Sequence, residues 1–317
     1  MLILRQQEVR ELLDPDALVD ALAAAHADLS AGKASMPQRI AALVDAHDAL
    51  LGVMPSYLPS AALACKLVTL FPHNRDRETH QAIVCVFDPD TGTPIALMDG
   101  TYITAARTAA GSALATRLLA REDARVLAIL GTGVQAHSHA HALPRVRSFE
   151  EIRVAGRDPA RVETLAREIA GVPVESYEQA VRGADVVAAT THAEQPVVLR
   201  EWLAPGVHVN SVGLNPTGRE IDDATIADAL LVVESRASAL APPPAGAPEL
   251  AGVDAARIHA ELGELVAGTR PGRHSRDEIT LYKSVGVAVQ DAAAAALVLA
   301  AAHERSVGTE LDLEGTE

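Results

Sequence analysis

Aromatic residues are scarce in this chain of 317 residues: Phe, Tyr and Trp together make 3%. A core without rings must be filled by aliphatic side chains, and the many alanines let helices approach one another closely. Cysteine is nearly absent too. Cys65 and Cys85 are the only 2, too few for a disulfide framework or a zinc cluster. Two small thiols of this kind fit a reducing compartment.

Positive charge is in deficit, with 27 Lys and Arg against 42 Asp and Glu and a net charge of −15. Repulsion from phosphates then excludes general nucleic-acid binding. Long apolar runs are missing as well. The longest, Ala292 to Ala302, is too short to span a bilayer. The opening MLILRQQEVRELL brings acidic residues close behind a very short apolar stretch, unlike a secretion signal. These absences predict a cytoplasmic protein that binds neither nucleic acid nor membrane. Its length is more than one core usually needs, which points to two domains.

The most informative stretch that is present is RVLAILGTGVQA, Arg125 to Ala136. An apolar run meets Gly131, and Gly133 and Ala136 complete G-x-G-x-x-A. A buried strand that feeds a glycine turn and then a helix is the phosphate-binding entry of a Rossmann-type dinucleotide domain. The first glycine permits the tight turn. The second lets a pyrophosphate approach the backbone, and the alanine seats the helix against the strand. Val134 and Gln135 open that helix, where the amides face the anion.

A strand–helix rhythm continues downstream. Strands are predicted at Ile152 to Ala155, Val186 to Thr190, Val207 to Val212 and Leu230 to Glu234. Helices are predicted at Gln135 to Leu143 and from Pro159 to Ile169, the second capped by Asp158. Such alternation predicts a parallel sheet covered on both faces. The first third reads differently. Asp14-Pro15 opens a helix to Ser30, and strand-like pieces follow at 40–44, 49–54, 63–70, 82–88 and 94–99, separated by turn residues. These predict an α+β domain with a mainly antiparallel sheet. A helix over 104–119 bridges to the parallel region, and an alanine-rich helix over 287–303 returns to pack on the first domain. The proline-rich piece Ala241 to Pro248 reads as a surface loop. The histidines at 73, 80, 137, 139 and 141 have no spacing that defines a metal site, so no metal is expected.

Several separated motifs resemble one family in the same order. They are GVMPSY at Gly52, KLVTLFP at Lys66, ITAARTAAGSALAT at Ile103, ILGTGVQAHSH at Ile129, GADVV at Gly183, HVNSVG at His208, AELGELVAG at Ala260 and YKSVGVAVQD at Tyr282. The chain resembles the ornithine cyclodeaminase and mu-crystallin family along almost its whole length, nearer in motifs to the ketimine reductase branch. The resemblance implies a substrate-binding and dimerisation domain over 1–112 with 290–317, and a Rossmann domain over 113–289. It also implies a homodimer joined through the antiparallel sheets, which would cover edge strands.

Site roles follow from the same resemblance, and each has a physical reason. Lys66 matches the active-site lysine and sits in an otherwise apolar strand, where burial can lower its pKa toward neutrality. For an isolated sequence, a lysine snorkelling from a sheet edge would be the simpler reading. Arg39 matches the arginine that grips the substrate carboxylate with two parallel hydrogen bonds. Arg107 and Thr108 match positions lining the cofactor and substrate, and Gln81 is expected to line the same place. Thr191, His192 and Val212, at the ends of later strands, and Ser284 are expected to touch the cofactor. Gly286 and Asp291 match the family's last motif and are expected to shape the closing helix.

Cofactor choice turns on the end of the second parallel strand, Ala155-Gly156-Arg157. NAD-preferring folds usually place an acid there for the ribose hydroxyl. Here Gly156 removes a side chain and Arg157 can face a 2′-phosphate, while Asp158 is better placed as a helix cap. NADPH is therefore expected over NADH. One departure from the cyclodeaminases matters. They carry an aspartate in a GGD-type sequence where SVGLNPTGREID places Leu214, which can neither accept nor donate a proton. The expected activity is NAD(P)H-dependent reduction of small 2-imino acids, most simply cyclic ketimines such as pyrroline- or piperideine-2-carboxylate, to L-amino acids. The rivals are an ornithine or lysine cyclodeaminase, an alanine dehydrogenase-like enzyme, and a non-catalytic NADPH- or ligand-binding protein of crystallin type.

Overall fold

The computed structural model describes residues 1–213, 215, 217–242, 245–313 and 315. In chain order the first elements are β1 (Leu2–Leu4), α1 (Gln6–Leu12), α2 (Pro15–Ser30), β2 (Ile40–Val44), β3 (Ala49–Leu58), β4 (Ala62–Leu70), β5 (His80–Phe87), β6 (Pro94–Asp99) and α3 (Gly100–Leu119). Next come β7 (Val126–Leu130), α4 (Val134–Ala142), β8 (Glu151–Ala155), α5 (Pro159–Glu168), β9 (Val172–Pro173), α6 (Tyr177–Val181), β10 (Val186–Ala189), β11 (His208–Ser211), α7 (Asp223–Asp228) and β12 (Leu230–Val233). The last are α8 (Arg236–Ala239), β13 (Ala260–Glu261), α9 (Leu262–Val266), β14 (Thr280–Lys283), α10 (Ala288–Arg305) and β15 (Thr309–Glu310).

Two compact units result: Met1–Arg107 with Val287–Glu317, and Thr108–Gly286. The first boundary falls inside α3 and the second just before α10. The expected boundaries at 112/113 and 289/290 lie within the same two helices.

The first unit is an α+β layer. Its sheet has the order β15-β1-β6-β5-β4-β3-β2. Strands β2 to β6 pair antiparallel, β1 lies parallel to β6, and β15 closes the edge antiparallel. Asp14 caps α2 by accepting from the amides of Asp16 and Ala17, with Pro15 at the first helical position. Helix α10 packs on α2, β3 and β4. Six of its nine alanines are buried, as close approach of a helix to a sheet requires.

The second unit carries a parallel sheet of order β13-β12-β14-β11-β10-β7-β8-β9. From β7 the chain moves outward through β8 to β9, then returns to the other side of β7 as β10 and beyond. The C-terminal end of β7 is therefore the switch point of a doubly wound sheet, where open α/β sheets bind ligands. Strand β14 lies between β11 and β12. It had no counterpart among the predicted strands, and neither did β1, α1, β9, β13 or β15. Helix α3 begins at Gly100, ahead of the predicted Thr104.

Two buried histidines tie the second unit's own layers. The His139 ring stands 2.7 Å from the Gln135 carbonyl and 2.8 Å from the Ser112 hydroxyl. His208 lies 2.9 Å from the Thr280 hydroxyl and 3.2 Å from the Asn210 side-chain carbonyl. Burial pushes their pKa values down to about 4 and about 3, so both are neutral core groups. Of the proline-rich piece, Ala241, Ala245 and Ala247 are buried rather than on a surface loop; Pro243 and Pro244 lie outside the described residues. No described helix is long and apolar enough to cross a membrane.

Candidate active site

Strand parity places the first group of functional side chains. In β4 the residues Ala62, Ala64 and Lys66 share one face, and Lys66 pairs with Met54 of β3 and Val84 of β5. Val84 in turn pairs with Met98 of β6. That row is buried, and Lys66 itself is 2% exposed. An ammonium in such a place needs a counter-ion. Asp291, in the first turn of α10, supplies it: its Oδ1 and Oδ2 lie 2.9 and 2.8 Å from Lys66 Nζ. Thr104 Oγ1 stands 3.4 Å from the same nitrogen.

The carboxylate is shared. Arg107 donates from Nε to Asp291 Oδ1 at 3.2 Å and from Nη1 to Gln290 Oε1 at 3.0 Å. Burial first, and then the Arg107 charge, lower the Lys66 pKa to about 7, against the opposing pull of Asp291. The Arg39 charge acts in the same direction as Arg107. Arg39 immediately precedes β2, whose Ile40 pairs with Val53. Continuing that register by one residue sets Arg39 opposite Met54, in the row of Lys66. Thus Lys66 and Arg107 meet on Asp291, and the Arg39 charge reaches Lys66. A lysine poised between its charged and neutral forms at physiological pH can give or take a proton.

Gln81 is not brought to this group. It pairs with Thr69, an odd number of residues from the Lys66 row, and so projects from the opposite face of the sheet. Asp291 is the functional residue that the sequence reading undervalued. Its signal was a lone acid at the head of an alanine-rich helix, since a carboxylate in an apolar stretch needs a partner.

In the second unit, the glycine turn follows β7. Gly131 has φ +114°, and a Cβ there would stand 2.9 Å from both the carbonyl and the hydroxyl oxygen of Thr190. Only glycine fits. Gly133 is the N-cap of α4, without a side-chain cap, and a Cβ on it would meet nothing within 4 Å. The helix amides therefore open on an unobstructed face. Ala136 is fully buried against the sheet. Val134 is exposed, and the buried Gln135 Oε1 has no hydrogen-bond partner among the described residues. An uncapped helix end and an open glycine face fit an anionic dinucleotide.

At the end of β8, a Cβ on Gly156 would stand 3.0 Å from Thr132 Cγ2 and Val162 Cγ2. Arg157 is exposed beside it. Asp158 accepts from the amides of Ala160 and Arg161 and so is occupied as the α5 cap. Arg161, one turn into α5, donates from Nη2 to the Thr132 carbonyl at 3.1 Å. It is a second cation near Arg157 that the sequence reading did not single out, although its spacing of four from Arg157 on a helix start is visible there.

The remaining expected cofactor residues fall into two groups. Val212 and His192 lie at the ends of β11 and β10, His192 exposed, while Thr108 is buried on α3. Thr191 and Ser284 have their polar groups engaged by the protein itself. The Thr191 amide and hydroxyl donate to Glu220 at 2.6 and 2.7 Å. The Ser284 hydroxyl donates to Glu234 at 2.8 Å, and the Val285 and Gly286 amides donate to the same carboxylate. Leu214 lies outside the described residues. Among the described residues, no 3 His, Cys, Asp or Glu side chains gather as a metal site would require.

A dinucleotide turn at the switch point of one unit and a near-neutral buried lysine in the other are the parts of a nicotinamide-dependent oxidoreductase. The chain belongs to the ornithine cyclodeaminase/mu-crystallin family, whose model matches residues 1–306. It is 42% identical over 305 residues to ketimine reductase mu-crystallin of Mus musculus, covering 93% of this chain and 95% of that protein. It is also similar to the solved Delta(1)-pyrroline-2-carboxylate reductase of Thermococcus litoralis in complex with NADH and L-proline. There the TM-score is 0.92 at 36% identity, over 98% of this chain and 100% of that one. An archaeal alanine dehydrogenase dimer with bound NAD matches at TM-score 0.91 and 30% identity, over 99% of both chains.

Proposed function

We propose that the protein reduces small 2-imino acids with a nicotinamide cofactor, preferring NADPH, and that its substrates are cyclic ketimines of the pyrroline- or piperideine-2-carboxylate type, which become L-amino acids. The observation that carries this reading is the buried Lys66, held near neutrality by burial and by an arginine that shares its counter-ion. When bound, the reduced nicotinamide supplies a hydride for the imine carbon. Arg39 holds the substrate carboxylate and fixes its orientation. Lys66 gives its proton to the imine nitrogen, or keeps that nitrogen protonated, which makes the carbon a better hydride acceptor. Loss of that proton leaves no stranded charge in the apolar row: Asp291 stays paired with Arg107, and the substrate carboxylate with Arg39.

Four residues support the preference for NADPH. Gly156 leaves no side chain to compete for the ribose, and Arg157 and Arg161 are cations at the strand end, while Asp158 is spent on the helix cap. The two solved relatives described above hold NADH and NAD, so this preference rests on this chain's own side chains. Homodimerisation is part of the same reading. The sheet face opposite Lys66 exposes Ile40, Leu51, Tyr57 and Ile83, an apolar surface of the kind that a second copy would cover. The thiols of Cys65 and Cys85 are free, in keeping with the cytoplasm.

The test is absorbance at 340 nm with purified protein. NADPH oxidation should be fast with the cyclic ketimines and slow with pyruvate plus ammonia. Ornithine should release no ammonia. Faster turnover of pyruvate plus ammonia would move the protein to the alanine dehydrogenase reading, and ammonia from ornithine to the cyclodeaminases. NADPH binding without turnover on any of them would leave a binding protein.

A further inference from the structure

Behind Arg107 lies a buried polar pair that the mechanism above does not use. Gln290, in the first turn of α10, and His26, on the inner face of α2, are both fully buried. Their side chains meet at 3.0 Å between Gln290 Nε2 and His26 Nε2. The surroundings on α2 are Leu18, Leu22 and Ala25, where two apolar residues would pack at lower cost.

The donor and acceptor inventory fixes how this pair must be arranged. A guanidinium only donates, so Arg107 must face the amide oxygen of Gln290, as it does at 3.0 Å. The amide nitrogen then points at His26 and also only donates. His26 Nε2 must therefore present its lone pair, which places the ring proton on Nδ1. Turning the amide over would set its NH₂ against the Arg107 guanidinium in a dry site, donor against donor. His26 Nε2 thus braces the orientation of Gln290 that Arg107 selects, since without this acceptor the buried amide nitrogen would lose its partner. Arg107 Nε and Lys66 Nζ, in turn, share one oxygen, Asp291 Oδ1, at 3.2 and 2.9 Å, while Lys66 Nζ also lies 2.8 Å from Oδ2.

We propose that Gln290, braced by His26, is a positioning residue that holds Arg107 against Asp291, so that the carboxylate is shared and not given wholly to Lys66. The proposal deepens the imine-reductase reading and rests on it for its catalytic meaning. The charged groups that face Lys66 are Asp291, Arg107 and Arg39. Removing the Gln290 oxygen frees Arg107 to leave Asp291, and the carboxylate then binds the Lys66 proton more tightly.

A titration free of substrate tests this separately from the activity. The chain has only three lysines, Lys33, Lys66 and Lys283, so protein carrying [ε-¹³C]lysine gives three resonances. Lys66→Met assigns the one of interest. In Gln290→Leu, the Lys66 titration should move up by about one pH unit or more, since the cation that opposes its proton has gone. His26→Leu should move it the same way, while His26→Gln, which keeps an acceptor at similar reach, should stay within about 0.3 pH unit of the wild type. In kinetics with a cyclic ketimine, Gln290→Leu should raise KM about tenfold and leave the NADPH Kd unchanged within about twofold. Folded Gln290→Leu and His26→Leu with an unmoved Lys66 titration would overturn the proposal, even if the protein is an imine reductase. A moved titration in a protein without reductase activity would uphold the positioning and remove its catalytic meaning. Should Gln290→Leu fail to fold, the His26 pair decides alone.

Discussion

Two lysines stand in the interior strands of this molecule, one in each unit, and they are treated in opposite ways. Lys283 of β14 is 1% exposed and donates to three acceptors: Ser211 Oγ at 3.1 Å, the Gly213 carbonyl at 2.8 Å and Glu249 Oε1 at 3.0 Å. Every proton of its ammonium has a partner, and its carboxylate also accepts the Glu220 amide at 3.1 Å. Lys66 has one carboxylate, which it divides with an arginine, and a distant hydroxyl. Burial costs both ammonium groups their water, but only Lys283 is compensated group for group. The difference teaches how to tell a structural buried charge from a reactive one: count the acceptors, then ask whether the counter-ion is exclusive.

Substitutions at these two positions should separate the roles most widely. Lys66→Met should lower kcat by about 10²–10⁴-fold, the scale of a lost general acid, while leaving NADPH binding nearly intact. With Lys66 as the proposed proton donor, wild-type kcat/KM should fall as pH rises through about 7; a flat profile across that range would remove lysine from the proton transfer. Lys283→Met should instead cost about 3–5 kcal/mol of stability, since Glu249 is left as a buried charge without its ion-pair partner. Denaturant titration reads that loss. Equal destabilisation by the two substitutions would erase the distinction between the two lysines.

Acid should weaken the second unit through its neutral histidines. His139 and His208 bind protons less readily folded than unfolded, so their contribution is complete above the ordinary 6.5. It is lost as pH falls from there toward about 4 for His139 and about 3 for His208. Unfolding midpoints measured between neutral and acid pH should therefore decline, by a few kcal/mol in all, and less steeply in His139→Gln. The smallest expected effect concerns the cofactor. Arg157→Ala should raise the KM for NADPH about tenfold with little change for NADH, one charge-assisted contact being worth roughly that much. An equal loss for both cofactors would remove the phosphate role.

What could be read from the sequence was whatever repeats a local rule. Gly131, Gly133 and Ala136 announce a dinucleotide turn because the backbone geometry there permits few alternatives, and Asp14 and Asp158 announce helix starts for the same reason. Strand β14 escaped because Thr280 and Lys283 break its apolar run; the charge is buried only because Glu249, far along the chain, meets it. Asp291 was visible as a motif residue, yet its partners Lys66 and Arg107 are joined to it only by the return of α10. Gln81 was placed by proximity in sequence, and strand parity sends it to the wrong face. Local chemistry can be read along the chain, but the partners of buried charges depend on long-range closure.

The crowding at Gly156 bears on how this protein could change over generations. An acid installed at that position, a common way to bind the hydroxylated ribose, would drive its Cβ toward Thr132 and Val162. That route therefore asks the Thr132 and Val162 side chains to give way. Arg157 and Arg161 stand at the surface and can be exchanged one at a time. If the proposed NADPH preference holds, it should thus drift more readily by erosion of these cations than by gain of an acid, and Arg157 and Arg161 are the first positions to exchange in shifting it.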